Sequence, residues 1–253
     1  MHLRKAFCDN QFILHYQPQF NLQNGELRGG EALIRWNHPK QGILLPHYFL
    51  EHIKNANLAI KLSFNVLNLI KKHLAQWEQS DNLPPYIAIN FSAQCFNEPI
   101  LIRQLLKLVH RYSYKGVLFE VEITEAEALD LDAQNLKYIF LLQAQGVSIA
   151  IDDLGNAYSS LAWLAKLPVD TVKISSEFIG KMQEHSRSRI VIESVIELGH
   201  KMGCSVVAEG IETLQQYMAL KNYGCDYGQG YYFKRPTPHN EVLFEGYNKA
   251  VVF

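Results

Sequence analysis

Val147-Ser148-Ile149-Ala150-Ile151-Asp152-Asp153 is a β-rich apolar run that stops on two adjacent carboxylates. The same design recurs: Tyr86-Ile87-Ala88-Ile89 ends in Asn90, and Val206-Val207-Ala208 ends in Glu209. Outward from these runs the chain alternates short β-rich segments with longer helical patterns nearly to its end, which is the signature of α/β architecture. The expected strands are Phe12 to Gln17, Leu27 to Arg35, Tyr86 to Asn90, Val117 to Thr124, Val147 to Asp152, Thr171 to Ser175, Ser205 to Glu209 and Gly228 to Phe233. About eight strands is the number a closed TIM-type (β/α)8 barrel uses. A doubly wound open sheet is the main alternative, but no G-x-G-x-x-G follows any expected strand.

Helical period places Val66, Ile70, Leu74 and Trp77 on one buried face, and Val191, Val195, Leu198 and Met202 on another. Asn97 with Pro99 reads as a cap and first turn ahead of Leu101 to Val109, Gly146 and Gly203 sit where helices should stop, and Asn24-Gly25 marks a turn. No linker, low-complexity tract or repeat divides the chain, so residues 1–253 are read as one domain.

With 253 residues and 48% apolar content, one large core can be buried. Lys plus Arg total 24 against 25 Asp plus Glu, a formal charge of -1. A nucleic-acid polymer therefore has no global electrostatic reason to bind. No apolar run approaches the roughly 18 to 20 residues of a membrane span, and no signal-peptide core follows Met1, so the expected location is the cytoplasm. Cys8, Cys95, Cys204 and Cys225 are widely spaced and fit free packing thiols better than a disulfide framework or a zinc site.

Barrel enzymes place their active sites at the carboxyl ends of the strands. Glu31 and Glu122 lie in runs comparable to those ending in Asn90, Asp152-Asp153 and Glu209, and Glu212 follows Glu209 at one turn's spacing. If these strands are parallel neighbours, six carboxylates converge on one mouth and raise one another's pKa unless a cation neutralises them. Oxygen ligands without Cys or His point to Mg²⁺ or Mn²⁺ rather than zinc. A lone acid at any of these positions reads more readily as a helix cap or a solvated strand end than as a site. Asp152-Asp153 is harder to dismiss, because successive strand side chains point to opposite faces and both carboxylates must still be accommodated near a packed core.

Glu31-Ala32-Leu33 followed by Ile34-Arg35-Trp36 resembles the signature of the EAL-domain family of cyclic di-GMP phosphodiesterases. The resemblance continues in order through Tyr16-Gln17-Pro18, His38-Pro39, Asn90-Phe91-Ser92, Glu122-Ile123-Thr124-Glu125, Ile151-Asp152-Asp153, Tyr158-Ser159-Ser160-Leu161, Leu167-Pro168-Val169-Asp170, Lys173-Ile174, Ala208-Glu209-Gly210-Ile211-Glu212 and Gly228-Gln229-Gly230-Tyr231. It implies a modified β/α barrel and hydrolysis of cyclic di-GMP to the linear dinucleotide pGpG. It also implies two ions, Mg²⁺ or Mn²⁺, with Glu31, Asn90, Glu122 and Asp152 holding one and Asp152, Asp153 and Glu209 the other. Two such metals suit phosphodiester cleavage, since both neutralise phosphoryl oxygens and acidify a water. Ca²⁺, with its looser geometry, is expected to inhibit. By the same resemblance Lys173 orients the attacking water, Glu209 and Glu212 support acid/base or ligand-orienting roles, Glu125 holds the loop after the Asp pair, Arg35 contacts a substrate phosphate, and Gln17 and Gln229 add polar contacts to the substrate or to a metal-bound water. A homodimer is implied, as is an upstream sensory or diguanylate-cyclase module in a longer protein.

The chain departs from the family where the usual Asp-Phe-Gly-Thr-Gly-Tyr-Ser-Ser is replaced by Asp153-Leu154-Gly155-Asn156-Ala157-Tyr158-Ser159-Ser160. Ala157 has no easy access to positive φ, and Leu154 is a smaller anchor than Phe, so the loop is expected to limit turnover. Ser175 and Ser176 stand where the family commonly has Asp and Arg, and Lys54 where it usually has Glu. The alternative function is a weak or inactive cyclic di-GMP receptor or protein-interaction module, but every implied ligand position is filled. A generic barrel phosphatase leaves Arg35 and Gln229 unexplained.

Overall fold

The computed structural model describes residues 3–53, 56–154, 167–183, 186–242 and 244. The strands among them are β1 (Phe12–Asn21), β2 (Leu27–His38), β3 (Gly42–Leu44), β4 (Tyr86–Asn90), β5 (Leu118–Thr124), β6 (Val147–Leu154), β7 (Thr171–Ile174), β8 (Ser205–Ala208), β9 (Tyr227–Gly228) and β10 (Thr237–Pro238). Eight of them close a ring in the order β1, β2, β4, β5, β6, β7, β8, β9, while β3 and β10 are short additions outside it. From β2 to β9 each neighbour runs parallel. Their carboxyl ends, and the acids that terminate them, therefore gather at one mouth.

The exception is β1, which runs antiparallel to both β2 and β9. The cause is local. Only a tight turn joins β1 to β2: Asn21 Oδ1 accepts from the backbone N–H of Gln23 and Asn24, and Gly25 takes φ 77°. A turn this short returns the chain alongside itself, whereas a parallel partner needs a crossover of a dozen or more residues. The barrel is thus the modified form. The last strand is shorter than Gly228 to Phe233, because beyond Gly228 the backbone turns and Tyr232 N donates to Ile211 O instead of extending the ladder.

The long helix Ala56–Gln79 buries Val66, Ile70, Leu74 and Trp77 as its period requires. The helix Ser186–Lys201 corrects the second expected face: Val191 and Met202 are exposed, while Ile192 and Ile196 are buried. Apolar residues occupy two stripes here, and the stripe carrying Gly199 wins because it approaches β8 so closely that a Cβ at Gly199 would crowd Val206. In the helix Pro99–Tyr112 proline takes the first turn, but Glu98, not Asn97, is the capping position. Gly146 and Gly203, at φ 81° and 78°, end helices as expected. The cysteines are free, and all but the exposed Cys8 are buried. Among the described residues no helix is long and apolar enough to cross a membrane.

His73 shares the buried stripe of Ala56–Gln79. Its Nδ1 lies 2.9 Å from Tyr16 Oη, and its ring stacks on His239 at 3.8 Å, tying helix, β1 and the segment after β10 together. Burial first, then the neighbouring His239 and Lys72, pushes the His73 pKa from 6.5 down to about 3. A depressed base binds its proton in the unfolded chain before the folded one, so its stabilising contribution is present above about pH 6.5 and is lost as pH falls below it. Denaturant titrations should show stability falling by up to about 1.4 kcal/mol per pH unit below pH ~6.5, with a shallower slope in His73→Gln. Equal slopes would refute this assignment.

Candidate active site

Strand β6 delivers both of its terminal carboxylates to the mouth by breaking its own alternation. The register against β7 shifts between Ile151 and Leu154, and Asp153 adopts φ 58°, a left-handed conformation that Asp tolerates better than most residues. Asp153 N donates to Asp152 Oδ1 at 2.8 Å. The two side chains consequently do not part to opposite faces, as an unbroken strand would require. Oxygens of Asp152, Asp153 and Glu209 lie within 4.8 Å of one another, a spacing one cation could bridge.

Lys173, on β7, is the centre of the site and is fully buried. Its Nζ lies 2.7 Å from Glu209 Oε1, 2.8 Å from Glu122 Oε1, and 3.4 Å from both Glu31 Oε2 and Asp152 Oδ1. Burial would lower its pKa, but Asp152, Glu122, Glu209 and Glu31 together raise it well above the ordinary lysine value. The acids divide according to their donors. Burial pushes Glu31 up, yet Lys173 and hydrogen bonds from Gln229 and Asn90 prevail and leave it lowered. Asn90 Nδ2 donates to Glu31 Oε1 and Gln229 Nε2 to Glu31 Oε2, each at 2.7 Å. Burial and the charge of Glu31 hold Glu122 well above the carboxylate range, burial and Asp152 raise Asp153, and the same two causes lift Glu209 to about 8.

Four carboxylates thus share one ammonium, with Asp153 close beside them. Glu122 is the sharpest case: both its oxygens are buried, among the described residues neither accepts a hydrogen bond, and its positive contact is Lys173 at 2.8 Å. A buried carboxylate so poorly supplied with donors fits a divalent-cation ligand, and the donor set is oxygen throughout, as Mg²⁺ or Mn²⁺ prefers.

The other expected residues take varied places. Gln17 and Gln229 line the same cavity as the acids and are joined, Gln229 Nε2 donating to Gln17 Oε1 at 3.0 Å. Arg35 is buried but is not part of that lining, and its Nη1 donates to Ile34 O at 2.8 Å. Glu212 is an exposed lining residue outside the Lys173 cluster, while its backbone N–H is held by Gln216 Oε1. Glu125 is buried in the short helix Glu125–Ala128 directly after β5. Leu154 is packed into the core, and Ser176 lines the cavity beside Gly210. Lys54, Asn156, Ala157 and the Tyr158 to Leu161 motif lie outside the described residues.

A second polar layer below the mouth escapes sequence reading. Arg28 reaches into the barrel, where Nη2 donates to Tyr86 Oη at 2.7 Å and Glu120 Oε2 at 3.2 Å, between the rings of Tyr86 and Tyr227. Strand alternation sets Arg28 and Glu31 on opposite faces. The register shift near Gly29 reverses that parity, and the only written signal is Gly29-Gly30: Gly29 takes φ 151°, and a Cβ there would run into the Tyr86 carbonyl.

The cavity over this mouth measures about 730 Å³ and couples the acids to an apolar flank of Leu50, Ile53, Leu62 and Val66, a size and mixture suited to a small organic ligand. Fold and site together define a β/α-barrel protein with an acid-lined, cation-competent mouth. The chain belongs to the EAL domain family, whose model matches residues 2–236. It is 34% identical over 242 residues to the bifunctional diguanylate cyclase/cyclic di-GMP phosphodiesterase MucR of Pseudomonas aeruginosa, covering 95% of this chain and 35% of that protein. It is 30% identical over 243 residues to the probable cyclic di-GMP phosphodiesterase PdeG of Escherichia coli K12, covering 95% of this chain and 48% of the relative. The chain spans about a third of the length of relatives such as MucR and the E. coli oxygen sensor protein DosP, 30% in the latter case. Among solved structures, the PaMucR phosphodiesterase in complex with c-di-GMP superposes with a TM-score of 0.84 at 33% identity, covering 95% of this chain and 98% of that one.

Removing Lys173 leaves its carboxylates without a counter-charge. Lys173→Met should cost about 3–5 kcal/mol in urea unfolding of the metal-free protein, with partial recovery in millimolar Mn²⁺ as the ion replaces the lost positive charge. An unchanged midpoint without metal would contradict this electrostatic reading.

Proposed function

We propose that this chain is a metal-dependent cyclic di-GMP phosphodiesterase that yields linear pGpG, acting in the cytoplasm as a homodimer. The observation that carries the reading is the acid cluster at the barrel mouth, where Glu31, Glu122, Asp152 and Glu209 surround the buried Lys173, Asp153 lies beside Asp152 and Glu209, and Asn90 donates to Glu31, so that every implied ligand position is filled. The EAL domain match and the likeness to a c-di-GMP-bound phosphodiesterase support the choice of substrate.

Hydrolysis breaks one phosphorus–oxygen ester bond, forms another to the water oxygen, and passes a proton to the departing ribose oxygen. Two bound Mg²⁺ or Mn²⁺ ions would supply Lewis acidity to the phosphate and its water. The chain's own groups set the conditions. Lys173 keeps four carboxylates from repelling one another apart, and the hydrogen bonds from Asn90 and Gln229 fix the Glu31 carboxylate in the ionised form a ligand needs. Burial and the charge of Asp152 lift Glu209 to about 8, so its proton affinity is raised and a bound cation would compete with that proton. The apolar flank of the cavity suits a guanine face, and Gln17 supplies a polar edge beside it.

Purified protein incubated with cyclic di-GMP and Mg²⁺ or Mn²⁺ should convert it to pGpG on chromatography, and Ca²⁺ should suppress conversion. Glu31→Ala and Asp152→Ala should each lower kcat beyond the roughly 100-fold upper end seen for groups that merely support metal ligands. An unchanged substrate peak from folded, metal-loaded protein would instead make the chain a receptor.

A further inference from the structure

The barrel interior below the mouth carries an unbroken line of side-chain hydrogen bonds with a fixed direction. Arg28 is a donor only, so the Gln19 atom it meets at 3.1 Å must be the carbonyl oxygen. That choice turns the Gln19 amide nitrogen upward, where it donates to Gln229 Oε1 at 3.0 Å. Gln229 is then obliged to present its own nitrogen to Gln17 Oε1 and to Glu31 Oε2. Each amide has one acceptor and one donor end, and the donor-only Arg28 at one end of the line and the acceptor-only Glu31 at the other demand the same direction.

Arg28 is itself immobilised. It is clamped between Tyr86 and Tyr227 at 4.0 and 4.3 Å, and contacts Glu120, which accepts a 2.5 Å hydrogen bond from Thr171. Gln19 is fully buried, so no solvent competes for either end of its amide. We infer that Arg28 and Gln19 are positioning residues: through a directed amide relay they hold Gln229 with its donor toward Glu31, fixing that carboxylate for cation binding. The inference rests on the functional reading above for its consequence in turnover, but the relay itself is a property of the free protein.

Gln19→Glu separates the relay from simple packing. The new carboxylate still accepts from Arg28, and with better charge complementarity, but an ionised carboxylate cannot donate to Gln229. Gln229 then meets an acceptor both at residue 19 and at Glu31, and no single orientation of its amide satisfies both. Thermal stability should hold, Mn²⁺ affinity by calorimetry should fall about tenfold, and kcat should fall with little change in KM. In nitrogen–proton spectra of the metal-free protein, the Gln229 side-chain amide signals, identified by their loss in Gln229→Leu, should shift. Gln19→Met, which severs both bonds, should move the same signals and serves if the acid variant does not fold. Gln229 signals unmoved in both folded variants, with Mn²⁺ affinity within about twofold of the parent, would overturn the relay. A parent protein that leaves cyclic di-GMP intact would overturn the functional reading alone, since the spectra still decide the relay.

Discussion

One buried ammonium holds the mouth of this barrel together. Lys173 sits on β7 with carboxylates from β2, β5, β6 and the end of β8 around it, so four separate strands are tied to a single charge. Neither partner would be tolerated alone, because an isolated buried ion is costly and a cluster of acids repels itself. The parallel run from β2 to β9 makes the arrangement possible, by bringing every strand's carboxyl end to the same side. The reversed β1 adds Gln17 and Gln19 from the other direction, and both bond to Gln229, whose amide nitrogen donates to Glu31.

The electrostatics of the site are unbalanced in a way that suits a cation. Glu31 is well supplied with donors and stays ionised, whereas Glu122 and Glu209 are pushed toward their protonated forms. A divalent ion offers these acids a stronger positive charge than the single ammonium they share. Binding should therefore release protons. The cavity sets this charged floor against an apolar flank, a combination that matches an organic phosphate better than a bare ion.

Much of this was legible in the sequence because the strands are short, apolar and punctuated by acids: Ile149 to Asp153 and Val206 to Glu209 announce both the sheet and its functional end. What was hidden depends on backbone irregularity. Asp152 and Asp153 share a side only because Asp153 is left-handed, and Arg28 enters the barrel only because the strand shifts register near Gly29. Period-2 reasoning cannot anticipate either, since each is a local break in that period. The helix Ser186–Lys201 failed for a different reason, as apolar residues on two stripes leave its phase to be settled by the close approach at Gly199.

The central claim is that the acids gathered around Lys173 bind divalent cations and that this binding enables phosphodiester cleavage. Titrating Mn²⁺ into metal-free protein while following bound metal and cyclic di-GMP in the same sample tests it most directly. Turnover should rise in step with occupancy and vanish in excess chelator. Intact cyclic di-GMP at full occupancy, or hydrolysis that persists in chelator, would contradict it.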